Sequence, residues 1–103
     1  MEKLLQKPSI DANVDKELVW AGNSFGEVIR RARERAGLNQ KQLAIACRTI
    51  SPMYISQIEK GDRVPSVKVC RLLARALDLD EQRLQLLAHR FRPRKELRDL
   101  LAR

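Results

Sequence analysis

Apolar residues recur at intervals of three and four along most of this chain, and nowhere do they alternate over the length of a strand, so the pattern predicts helices. The clearest stripe is Phe25, Val28, Ile29, Ala32 and Ala36. Ser24 precedes it and Glu27 follows three residues on, the S-x-x-E arrangement of a capping box. Gly37 supplies a left-handed residue to end this helix, and Leu38 is placed to fold back onto it. Asn39, with Gln42 three residues later, caps a second helix whose apolar edge is Leu43, Ala44 and Cys47. Arg48–Ile50 has no helical period and reads as a turn. Ser51 caps a third helix, with Pro52 at the first position, where a missing N–H does no harm. Ile55 and Ile58 form its buried side, and Gly61 its end. After a loop of Asp62–Pro65, Ser66 caps a fourth helix with Val67, Cys70, Leu73, Ala74 and Leu77 inward. Asp80 caps a fifth, with Leu84, Leu87, Ala88 and Phe91 inward, and Pro93 opens a last one from Arg94 to about Ala102, carrying Leu97, Leu100 and Leu101. Ahead of Ser24, the apolar residues Leu4, Leu5, Ile10, Val14, Leu18, Val19 and Trp20 keep no sustained period. A short helix around Asp11–Val19 is the most that segment offers. The expected fold class is all-α.

Composition sharpens this picture. At 103 residues the chain is one domain's worth of sequence, with 44% hydrophobic and only 4% aromatic residues. A core of Leu, Ile, Val and Ala suits helices better than a sandwich or barrel. The longest apolar runs are a few residues, too short to span a membrane. Met1–Lys7 lacks an apolar stretch of signal-peptide length, so a cytoplasmic location is expected. The net charge is +8, from 21 Lys and Arg against 13 Asp and Glu. That excess suits a polyanion such as nucleic acid or an anionic surface, although a merely solvated surface tolerates it too. It is also uneven: residues 1–23 carry three Lys and four acids, whereas residues 24–80 carry eleven bases and six acids. The first 23 residues are therefore a different kind of segment, read as an N-terminal arm.

Little points to catalysis or metal chemistry. Cys47 and Cys70 fit apolar stripes and read as small buried thiols. A metal site needs more ligands, and the only histidine is His89. There is no phosphate loop, no recognisable pair of carboxylates and no Ser–His–Asp set. The expectation is a protein without enzyme activity, cofactor or metal.

Two short helices joined by a brief turn, the second with a polar outer side, suggest a helix-turn-helix. At about 100° per residue, Ile55, Ile58 and Glu59 cluster on one side of the third helix. The opposite side collects Met53, Gln57 and Lys60, with Ser56 beside them. An amide, a hydroxyl, a cation and an apolar group are types that read base edges in the major groove. The same four residues would also make an ordinary solvated helix side.

At this point the residues become recognisable. Ile29-Arg30-Arg31-Ala32-Arg33, Gly37-Leu38-Asn39-Gln40-Lys41-Gln42-Leu43-Ala44, Tyr54-Ile55-Ser56-Gln57-Ile58-Glu59-Lys60-Gly61, Pro65-Ser66 and Leu73-Ala74-Arg75-Ala76-Leu77 occur in the order seen in the lambda-repressor-like, Cro-type (XRE) helix-turn-helix family. The resemblance covers about Phe25–Leu79. It implies a five-helix DNA-binding domain over residues 24–79, with Ser51–Lys60 as the recognition helix. It implies base reading by Met53, Ser56, Gln57 and Lys60, and phosphate contacts from Asn39, Gln40, Arg48, Ser51, Tyr54 and Arg63. It implies an ion pair between Arg33 and Glu59 that locks the third helix to the first. Two features depart from the family. The turn Cys47-Arg48-Thr49-Ile50-Ser51 has no glycine and one extra residue, which can shift the recognition helix or bring Arg48 near phosphates. Pro52 and Met53 stand where relatives often carry polar base readers, which suggests reliance on Gln57, apolar contacts and DNA shape.

Residues 80–103 resemble the helical extensions that follow this domain in relatives. Their apolar stripe reads either as a dimer interface or as helices folded back on their own domain. Arg90, Arg92, Arg94, Lys95 and Arg98 read as solubilising bases or as DNA contacts. The expected function is a transcription regulator, a repressor occupying a palindromic operator as a homodimer on double-stranded DNA. The rival is an antitoxin or adaptor whose N-terminal arm binds a partner protein, with DNA binding secondary.

Overall fold

A computed structural model of the chain describes residues 17–91. Residues 17–20 are helical, and five helices follow: α1 (Phe25–Arg35), α2 (Gln40–Cys47), α3 (Pro52–Lys60), α4 (Val67–Leu77) and α5 (Glu81–Phe91). No strand occurs among the described residues, and the fold is all-α. The helix expected after Pro93, and most of the one expected around Asp11–Val19, lie outside the described residues.

Local chemistry sets the helix boundaries. Each start has a side-chain cap: Ser24 accepts from the Glu27 N–H, Asn39 from Gln42, Ser51 from Tyr54, Ser66 from Val69 and Asp80 from Arg83. The box at Asn39 is reciprocal, since Gln42 Oε1 accepts the Asn39 N–H at 2.8 Å. The box expected at Ser24 is only half made. Glu27 turns instead to the guanidinium groups of Arg30 and Arg31, which holds its carboxyl below the usual carboxylate range, chiefly through the Arg30 hydrogen bond.

The ends of α1 and α3 are Schellman motifs around left-handed glycines. At Gly37 (φ 76°) the Leu38 N–H reaches Arg33 O at 3.1 Å, and Gly37 itself donates to Glu34 O at 2.9 Å. At Gly61 (φ 87°) the Asp62 N–H reaches Gln57 O at 2.9 Å, and Gly61 donates to Ile58 O at 3.1 Å.

One core joins all five helices. Phe25, Val28, Ile29 and Ala32 of α1 meet Leu43, Ala44 and Cys47 of α2, Ile55 and Ile58 of α3, and Cys70, Leu73, Ala74 and Leu77 of α4. Leu79, and Leu84 and Ala88 of α5, are buried in the same cluster, as is Val19 from the helical turn before α1. Burial pushes the Cys47 thiol above its ordinary value. Three inward expectations change. Ala36 and Val67 sit at helix ends and are exposed. Phe91 keeps the spacing of the α5 stripe but lies beyond the core, 47% exposed, beside Trp20 and Leu86 on an open cleft of about 580 Å³. Trp20 itself packs on the domain, with the Arg83 guanidinium 4.4 Å from its ring centroid and an Arg83–Glu17 ion pair alongside.

Candidate nucleic-acid interface

Three devices seat α3. Ile55 and Ile58 are fully buried, and each contributes roughly 2 kcal/mol through apolar burial. The second device is backbone proximity. A Cβ on Gly26 would lie 2.4 Å from Ile58 O and 2.7 Å from Glu59 O, so α1 and α3 approach this closely only because that side chain is absent. The third is polar. Arg33 Nε donates to Glu59 Oε2 at 2.7 Å and Nη2 to Oε1 at 3.0 Å, a fork-shaped pair between α1 and α3. Arg33 Nη1 also donates to Leu38 O at 2.9 Å, and Gln40 Nε2 donates to Glu59 Oε1 at 3.1 Å. Side chains from two other helices, α1 and α2, thus converge on one carboxylate whose side chain is 5% exposed. The hydrogen bond to Glu59 raises the Arg33 guanidinium above its already high value.

The opposite side of α3 is open. Met53 is 69% exposed, Lys60 is exposed, and Ser56 and Gln57 are half-buried. Among the described residues Lys60 has no anionic partner, and neither do Lys41 on α2 nor Arg48 in the turn. On α1, Arg30 and Arg31 differ, neutralised by Glu27 and Glu34 of their own helix, whereas Arg35 has no such partner among the described residues. Lys41, Arg48 and Lys60 therefore leave unpaired positive charge on α2, the turn and α3, with the Asp62 carboxylate following α3.

Several residues expected at phosphates already serve the fold. The side-chain oxygens of Asn39 and Ser51 accept cap hydrogen bonds, and the Gln40 amide is held by Glu59. Tyr54 is half-buried against the core. Arg63 folds back over α3: its guanidinium lies 5.4 Å from the Tyr54 ring centroid, and its Nε donates to Gln57 Oε1 at 2.7 Å.

The glycine-free turn solves its geometry at Arg48, which takes φ 65° and ψ −38°. The Thr49 N–H donates to Cys47 O at 2.7 Å, closing a three-residue turn of the rare positive-φ kind. A non-glycine residue there carries about 1 kcal/mol or more of strain. The exposed Arg48 side chain leaves the protein between α2 and α3.

Spacing did not reveal Gly26 or the Arg63–Gln57 contact. A glycine inside the first turn of an amphipathic helix is the only hint of the former, because it weakens the helix unless something needs the space.

Among the described residues no helix is long and apolar enough to cross a membrane, and no group of three or more His, Cys, Asp or Glu could hold a metal ion. A family model described as helix-turn-helix matches residues 29–84, more than half of the chain. No curated protein and no solved structure matches it.

Proposed function

Because the chain belongs to the XRE-type helix-turn-helix family of DNA-binding transcription regulators, we propose that it is a repressor that occupies a palindromic operator as a homodimer, with α3 in the major groove. The observation that carries this reading is the contrast across α3. A helix fixed from within by Ile55, Ile58 and the Arg33–Glu59 pair holds out Met53, Ser56, Gln57 and Lys60. In this reading those four meet base edges, with Met53 against a thymine methyl and Gln57 hydrogen-bonded in the groove. Arg48 and Arg63 face phosphates, and the start of α2 adds backbone N–H groups that attract an anion. The structural duties of Asn39, Gln40 and Ser51 fit an indirect role: they hold the N-termini of α2 and α3 in place.

Homodimerisation draws support from α5, whose Leu86 is 67% exposed and, with Phe91 and Trp20, borders the open cleft. Exposed apolar side chains of this kind, here interspersed with Arg83 and Arg90, are what an association surface offers. Repression follows from occupancy of a promoter.

Selection of bound sequences from a random duplex pool tests the reading. The expected result is enrichment of an inverted pair of half-sites whose centres lie about one helical turn apart, ~10 base pairs. Enrichment of a single half-site would overturn the homodimer, and a pool without enrichment would overturn sequence-specific binding.

A further inference from the structure

The geometry points to Arg63 as the residue that sets which base Gln57 reads, by fixing the polarity of its amide. This inference rests on the reading of α3 as the base-contacting helix. A glutamine amide has a hydrogen-bond acceptor at one end and two donors at the other. Unrestrained, it offers both, which matches adenine: its N6 amino group donates and its N7 accepts. In this structure Gln57 is restrained. Arg63 Nε donates to Gln57 Oε1 at 2.7 Å. Arginine has donors only, so the atom facing it must be the amide oxygen, and the NH2 group is turned the other way. A second donor such as adenine N6–H would have to approach that oxygen beside a guanidinium cation. The two amide hydrogens keep full freedom to donate. A residue that presents donors alone matches guanine, whose N7 and O6 both accept in the major groove.

Two further features hold the arrangement. The Schellman end at Gly61 reverses the chain, so that a residue six positions beyond Gln57 returns to it. The Tyr54 ring, 5.4 Å from the Arg63 guanidinium, gives the cation a platform on the same helix. Arg63 is thus a positioning residue: it acts on the base through Gln57.

The test is the base preference of the full chain at the one operator position whose selectivity Gln57→Ala removes. Wild type, Arg63→Met and Arg63→Lys are each put through selection from the same random duplex pool, with thermal unfolding followed in parallel. Wild type is expected to favour guanine there. Arg63→Met keeps the length of the side chain but no donor, and should move the preference toward adenine by about tenfold, the low end of what a good base contact contributes. Other positions should keep their preferences. Arg63→Lys retains a cationic donor and should restore guanine. The inference is overturned if Arg63→Met weakens binding evenly on all sequences, abolishes it, or changes nothing, with the preference at that position intact in whatever still binds. Those outcomes would leave Arg63 as a phosphate contact alone, or as a bystander. Failure of wild type itself to enrich any sequence is a different result, and it would remove the reading of α3 rather than the role of Arg63 within it.

Discussion

The two sides of α3 are built on opposite terms. Inward, every group is spoken for: two isoleucines are fully buried, Glu59 receives hydrogen bonds from two other elements, and the bare Cα of Gly26 admits the backbone of α3. Outward, among the described residues, Lys60 has no ion-pair partner, Met53 is exposed, and Gln57 is held by the loop that follows. Substitutions on the inward side should therefore act on stability first. Substitutions on the outward side should act on recognition and leave the fold alone.

The largest effect is expected at Gly26. Gly26→Ala forces a methyl against two backbone carbonyls that no rotamer can move, at a cost of about 3 kcal/mol in denaturant unfolding. Because α3 is displaced, DNA affinity should fall with it. Glu59→Ala comes next, at about 2 to 3 kcal/mol, since it strands the Arg33 guanidinium and the Gln40 amide together. Glu59→Gln should lose less, because its oxygen still accepts. Gln57→Ala marks the other side of the comparison. It should cost about 1 to 3 kcal/mol on a selected operator while moving the unfolding free energy by less than about 0.5 kcal/mol. Equal losses in stability for Gln57→Ala and Glu59→Ala would erase the distinction between the two sides.

Smaller effects sharpen it. Arg48→Gly should stabilise the fold by about 0.5 to 1 kcal/mol, because glycine adopts φ 65° without strain. The same change removes a cation from the turn, so the slope of log affinity against log salt should shrink by about 1. The pH dependence is smaller still. Glu27 has its carboxyl lowered by Arg30 and Arg31, so its contribution to stability is present above the ordinary carboxylate range. It is lost as pH falls through the lowered folded value. Acid titration of Glu27→Gln should lack that component.

What could be read beforehand was local. Gly37 with Leu38, Ser51 with Pro52, and the stripe Phe25, Val28, Ile29, Ala32 each carry their signal within a few residues, and each stands where expected. The Arg33–Glu59 pair spans 26 positions and came only from family resemblance, because no periodicity links a surface arginine to a distant carboxylate. The role of Gly26 and the Arg63–Gln57 contact were invisible for the same reason. One depends on how closely α1 and α3 approach, the other on a chain reversal that brings a loop side chain back over α3. At Phe91 the stripe continues past the core formed by the described residues. At Glu27 two arginines compete for the carboxylate that a capping box needed.

The most direct test is an amide chemical-shift map of isotope-labelled protein titrated with a duplex drawn from the selection. The largest changes are expected at Met53, Ser56, Gln57 and Lys60 and in the Arg48 turn, with Ile55 and Ile58 moving little. Changes confined to α5 and Trp20, with the outward side of α3 silent, would contradict the account.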